Sequence, residues 1–332
     1  MNKNLIALAV AAATLSGAAQ AAEVYSDETS SLAIGGRIEA RAALKDGDVT
    51  DNTRTRVNIG AKSDITDSVY GLGFFEREFR AGSSETFKNV DGEEKTMNVS
   101  SDENRKLYAG IGSDYGQVVY GKIDGSLGMI TDFTDIMAYH GNEAGGKINA
   151  ADRASNSLAY IGSFDNLVVK ANYVFDNGSK EDGYSAGAMY TLDMGLGFGA
   201  GYAQQETGAE KNDKTEKQAF AAISYAINDF YFAGLYQDSR NTAAEKVRGY
   251  ELAAKYTMDK LVFTGTFNYL EDKDNSNSDD ALANSYAVDA TYYFTNNFRT
   301  YASYKLDQAK TDDVKRQDRN KDEFVLGARY DF

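Results

Sequence analysis

The chain has 332 residues, with 35 Lys and Arg against 50 Asp and Glu, a formal net charge of −15, one His and no Cys, Pro or Trp. A surface this acidic repels nucleic acid, and no basic patch offsets it. Without Cys there is no disulfide scaffold, so the fold must hold by backbone pairing and packing.

The first 21 residues, MNKNLIALAVAAATLSGAAQA, carry Lys3, an apolar run from Leu5 to Leu15 and small residues at Ala19 and Ala21. This is the pattern of a cleaved secretory leader, with the mature chain expected to begin at Ala22. The run falls short of the roughly 20 apolar residues of a spanning helix. Mean hydropathy is −0.50, and with no second long apolar run a helical membrane protein is excluded. A membrane β-barrel is not, because its alternating strands average to nearly polar.

From Leu32 onward the text alternates. Ile34, Ile38, Ala40 and Ala42 share one parity, and Arg37, Glu39 and Arg41 the other. Thr55, Val57, Ile59 and Ala61 stand against Arg54, Arg56, Asn58 and Lys62, and Phe75 and Phe79 against Glu76, Glu78 and Arg80. Period-2 alternation of this kind predicts half-buried strands. Sixteen are expected, near 31–44, 52–63, 68–80, 104–113, 116–123, 154–164, 167–176, 184–193, 196–206, 216–227, 230–238, 247–257, 260–270, 283–294, 298–307 and 323–332. Two places break the pattern: Phe230 and Phe232 compete with Tyr231 and Leu235 for the outer face, and Lys106 falls on the outward parity. Tight turns such as Asp165-Asn166 and Asn228-Asp229 follow even strands, whereas long polar loops such as DKDNSNSDD follow odd ones. A soluble sandwich has no reason to sort loop length by end. An even strand count with short turns at one end and long loops at the other matches an all-β, antiparallel transmembrane barrel. Strand-end aromatics, as in Tyr286–Phe294 and Phe324–Phe332, suit its interfacial girdles.

The chain closes on YDF, an alternating strand with a terminal aromatic. With AQA-AEVYSDE after the leader, NRKLYAGIGSDYGQVVYGK before residue 124 and TDFTDIMAYHG after it, the chain resembles Gram-negative general diffusion porins, in particular the OmpU/OmpL-like group of vibrio-type porins. The resemblance covers the whole mature chain, 22–332. It implies a 16-stranded barrel with short periplasmic turns and long extracellular loops, a homotrimer in the outer membrane, and a third loop folded inward.

That loop is the segment from Asp124 to Arg153, which lacks a two-residue period. Ile130, Phe133 and Met137 at helical spacing, Thr131 or Asp132 as N-cap and Gly141 as stop predict a short helix over 132–140. Asp132 and Asp135, three apart, share a face of it. Spacing alone equally allows a solvated surface loop; the resemblance implies that it narrows a pore. It also implies four arginines facing the loop, Arg37, Arg56, Arg105 and Arg153, and parity independently supports Arg37 and Arg56. Arginine stays ionised at any physiological pH, so these residues opposite Asp135 would impose a field across a wet gap. The family's PEFGG loop motif is absent, its place taken by Ala138-Tyr139-His140-Gly141. Asp132, Asp124 and Glu143 are the candidates for the missing second acid. The acidity of the chain points to a preference for cations.

Other motifs carry less. Gly195-Leu-Gly197-Phe-Gly199-Ala200 matches a dinucleotide pattern, but no helix follows it and no acid lies at the required distance. It reads instead as a strand with a bare inner face that leaves room for the loop. His140 is too isolated for a catalytic or metal set, which weighs against an outer-membrane barrel hydrolase, and no cofactor is implied. A ligand-specific channel or adhesin is the nearer alternative. The acids of 272–280 lack the glycine and terminal Glu of a calcium loop. They suit divalent-cation bridging to lipopolysaccharide in the surrounding outer-membrane lipid.

Overall fold

The computed structural model describes residues 21–81, 83–88, 94–99, 103–176, 178, 181–206, 215–240, 246–273, 281–309 and 322–332; most of the expected leader and the tips of several long loops lie outside them. Sixteen strands form the wall: β1 Ser30–Lys45, β2 Arg54–Thr66, β3 Val69–Arg80, β4 Glu103–Ser113, β5 Gly116–Asp124, β6 Arg153–Phe164, β7 Leu167–Val174, β8 Gly183–Thr191, β9 Leu196–Glu206, β10 Thr215–Ile227, β11 Phe230–Arg240, β12 Lys246–Met258, β13 Leu261–Asp272, β14 Ala281–Tyr293, β15 Phe298–Asp307 and β16 Glu323–Asp331. Each pairs antiparallel with its neighbour in sequence, and β1 pairs with β16 from Arg37↔Asp331 to Leu44↔Phe324. The ring is sealed at its seam by Phe332 and Gly36, which exchange backbone bonds of 2.8 and 3.0 Å. Closure leaves no edge in the sixteen-stranded ring and pairs the backbone polar groups within the wall. Short strands at Ala22–Ser26 and Asp48–Asp51 extend the pairing of β1.

All sixteen predicted strands are present, with ends moved by three residues or fewer. Their alternation has the expected physical basis. In β14, Tyr286, Val288 and Tyr292 stand exposed outside while Ser285, Asp289 and Thr291 are buried inside. Leu107, Val118, Leu252 and Leu326, each at least half exposed, continue an apolar outer surface far larger than a soluble monomer tolerates. The core is therefore inverted, greasy outside and polar within. A surface recess of about 700 Å³ lies against this wall beside Ala40, Ala42, Ala290 and Ala328.

The two irregularities have structural causes. Lys106 points inward, not outward, because Arg105 is an extra residue in the β3–β4 register, which steps from Glu76↔Lys106 to Arg77↔Asn104. Such a bulge re-aims successive side chains. In β11, Phe230 and Phe232 take the outer face; Tyr231 and Leu235 turn inward, where residues 124–153 cover them.

Candidate functional site

Residues 124–153 run inside the barrel and lie against one sector of its inner wall. Leu127, Met129, Ile130 and Phe133 form a single apolar cluster with Val168, Met189, Phe220, Ala222, Leu235 and Ala253 of the wall. The bare face of β8 and β9 makes room for them. A Cβ at Gly201 would lie 2.6 Å from the Leu127 side chain, one at Gly199 would lie 3.0 Å from the Phe133 ring, and one at Gly187 would lie 2.9 Å from Met129. The glycine-rich stretch thus seats the loop, as its inner parity suggests.

The remainder of the segment is fixed by polar side chains of the wall. Glu251 accepts from the Thr134 hydroxyl at 2.5 Å and the Ala144 amide at 2.9 Å. Asp289 accepts from the Ala138 amide at 2.8 Å, and Gln218 accepts from the Ile148 amide at 3.1 Å while donating to the Gly146 carbonyl at 2.7 Å. Glu143 meets Lys305 at 2.9 Å and Ser285 at 2.6 Å. These bonds explain why the helix is not where spacing put it. The α-helix is confined to Gly128–Thr131, with Asp132 as its C-cap. Beyond Asp135 the wall, through Asp289, captures the Ala138 amide that a helix over 132–140 would have used. Turn bonds persist as far as the Asp135 amide, so Asp132 and Asp135 still lie on one side, both exposed to the gap.

His140 is buried, with Ser303 Oγ 2.7 Å from Nδ1 and Glu323 Oε2 3.1 Å from Nε2. The trio has the connectivity of a hydrolytic triad. Yet Ser303 is only 1 % exposed, sealed beneath the loop where no substrate carbonyl reaches it. It is a clasp holding the loop to β15 and β16.

Opposite the loop, the wall from β1 to β4 carries the guanidiniums. Arg54 reaches Glu39 at 2.7 Å, Arg56 reaches Glu78 at 2.6 Å and Arg105 reaches Glu76 at 2.8 Å. Glu78 is fully buried and also meets Arg80 at 3.0 Å and Arg54 at 3.4 Å. Arg153, at the start of β6, lies 3.9 Å from Glu103. Among the described residues Arg37, Asp132 and Asp135 make no ion pair within 4 Å, and the buried Nε atoms of Arg37 and Arg153 have no hydrogen-bond partner. Enclosing walls reduce the hydration of Asp132 and, with Asp135 beside it, push its carboxyl up to about 7, against the pull of Lys147. Asp135 is displaced upward by the same desolvation, again opposed by Lys147. Both side chains remain open to water, which limits that desolvation.

The four predicted arginines and Asp135 line one cavity of about 650 Å³. Asp132 joins Arg56, Arg105, Arg153 and Asp135 around an adjoining space of about 240 Å³. The six residues are therefore brought together. Of the candidates for a second acid, Asp124 is taken by Lys106 at 2.6 Å and Glu143 by Lys305, which leaves Asp132. Sequence reasoning missed several cations. Lys255, Arg299 and Arg329 line the larger cavity, and Lys106, Lys147 and Lys170 the smaller. Inward parity was available for Lys170, Lys255, Arg299 and Arg329; nothing local marked Lys147. In the larger cavity nine basic side chains (Arg37, Arg41, Arg54, Arg56, Arg105, Arg153, Lys255, Arg299, Arg329) face three acidic ones (Glu39, Asp135, Asp289).

Comparison with known proteins agrees with this architecture. A family model described as Gram-negative porin matches residues 7–312. The chain is 56% identical to Porin-like protein L of Photobacterium profundum and 43% identical to Outer membrane protein U of Vibrio parahaemolyticus, covering 100% of both chains in each case. Among solved structures, a Salmonella typhi OmpF complex with daunomycin superposes with a TM-score of 0.77 at 23% identity, over 94% of this chain and 100% of the other. The trimer form of Vibrio cholerae OmpT gives 0.69 at 17% identity, over 92% and 100%.

Proposed function

The chain belongs to the Gram-negative porin family and to the outer membrane, and from that premise we propose that it forms a passive, water-filled channel for ions and small hydrophilic solutes, narrowed by residues 124–153. One observation carries this reading. The loop is fastened to one sector of the wall, whereas Asp132 and Asp135 on its free side make no ion pair across the gap. Opposite charges that close into contact would plug the bore; held apart by water, they order the dipoles of whatever passes. Arg37, Arg56, Arg105 and Arg153 form the basic side and Asp135 and Asp132 the acidic side, so selection is by size and charge. The cation preference expected from the total charge stands against a basic surplus among the side chains of the larger cavity, and the reversal potential decides between them. The relatives are porins, and the buried clasp at His140 offers no hydrolytic site. The trimer form of the OmpT neighbour supports a homotrimer here. Cleavage after Ala21 and divalent-cation bridging to lipopolysaccharide complete the reading.

Planar-bilayer recording of the purified protein tests it. Insertions should raise the current in groups of three equal steps, and neutral sugars should slow with size. Asp135→Asn should shift the reversal potential without abolishing conductance. Protein that is folded and membrane-inserted yet passes no current would overturn the proposal.

A further inference from the structure

We propose that the β1 side of the gap is a binding site for the oxyanion group of a small solute, a phosphate or a carboxylate, centred on Arg37. This rests on the channel reading and names the solute class that its narrow section retains.

Three observations converge. Arg37 stands directly opposite Arg56 in the β1–β2 register, and like charges facing each other across strands are unfavourable. Arg56 is relieved by Glu78 at 2.6 Å. Arg37 has no carboxylate within 4 Å among the described residues, and its buried Nε has no acceptor. On the other flank, Asp331 faces Arg37 in the β1–β16 register, but its carboxylate is engaged by Arg329 at 2.5 Å and Arg299 at 3.5 Å. Every acid near Arg37 is therefore already committed.

The second observation is the charge of the space itself. Adding the buried, paired Glu76, Glu78 and Asp331 to the three acids that line the cavity still leaves nine cations against six anions. A surplus of fixed positive charge inside low-dielectric walls concentrates anions. The third is geometry. A guanidinium offers a planar fork that matches the two oxygens of a carboxylate or phosphate, so an anion here gains paired bonds rather than a diffuse attraction. About 650 Å³ also leaves room for the rest of a small solute.

Removing Arg37 strands no carboxylate, so Arg37→Gln should insert normally, unlike a change at Arg54 or Arg56. The experiment is single-channel recording of wild type, Arg37→Gln, Arg37→Lys and the distant turn variant Lys260→Gln, each in chloride with increasing inorganic phosphate or, separately, acetate. Wild type and Lys260→Gln should show saturating, concentration-dependent block by at least one anion. The apparent affinity should drop at least tenfold in Arg37→Gln and less in Arg37→Lys. Which anion blocks tells phosphate from carboxylate. Conductance that tracks bulk conductivity for both anions, or block unchanged in Arg37→Gln, would overturn the site while leaving the channel intact. Absence of any current in wild type would instead remove the channel reading on which it rests.

Discussion

Glu251→Ala should loosen the second limb of the inner loop without releasing the first. The carboxylate is 1 % exposed and accepts from two donors that are themselves buried, the Thr134 hydroxyl and the Ala144 amide. Stranding a buried donor costs about 1–3 kcal/mol, so the two together weaken docking of 134–144 by about 2–6 kcal/mol. The apolar anchors lie upstream and are untouched. Burial of Leu127, Ile130 and Phe133 contributes about 1.5–3 kcal/mol each, an upper range, which is enough to keep 127–133 seated. The assay is hydrogen exchange of peptides spanning 134–148, with open-channel noise in bilayers alongside. Protection in that limb should fall at least about thirtyfold, the equivalent of ~2 kcal/mol, with peptides over 127–133 little changed. Noise should rise while the mean conductance moves modestly. Glu251→Gln, which keeps an acceptor, should lose far less. Exchange and noise identical to wild type in Glu251→Ala would show that the loop is not held by this residue.

Other outcomes follow from the same contacts. Because the carboxyls of Asp132 and Asp135 are displaced upward, they protonate early as pH falls; acidification from 8 towards 6 should raise anion over cation permeability. The double Asn variant should flatten that profile, and a wild-type profile that is flat above pH 5 would contradict it. Gly199→Val with Gly201→Val fills the seat of Phe133 and Leu127 while favouring strand structure; single-channel conductance should rise, and an unaltered conductance would count against the seat. Glu78→Gln removes the shared acid of Arg54, Arg56 and Arg80. It should cost about 3–5 kcal/mol, read as an earlier heat transition of the folded barrel on gels, and an unchanged transition would refute the hub.

The wall was legible because its physics is local. A strand half in lipid and half in water must alternate, and Thr55/Arg56 or Tyr286/Ser285 show which face is which within a few residues. Lys106 was misread because a one-residue bulge leaves no mark on composition. The helix over 132–140 was misplaced for a different reason. The Ala138 amide is bonded by Asp289, 151 positions away, and a local period cannot register that competition.

The path of the loop was nevertheless written in the wall, in residues that break its own rule. An inward apolar side chain in a water-filled barrel is unfavourable unless something covers it. Val168, Met189, Phe220 and Leu235 all point inward on neighbouring strands, and all four lie under residues 127–133. Together with the glycines of β9 they outline a dry sector, while the arginines of β1–β4 outline a wet, charged one. The strand parity places both, and the boundary between them is where Asp132 and Asp135 emerge. Such a division leaves the loop one stable resting place: its apolar side is attracted to the first sector, and its carboxylates gain nothing by leaving water for it. Adding one charge therefore tests the division itself. An Asp at Gly199 should drive Phe133 off the wall far more strongly than Val does, because it adds an unpaired charge to the one part of the interior that excludes water.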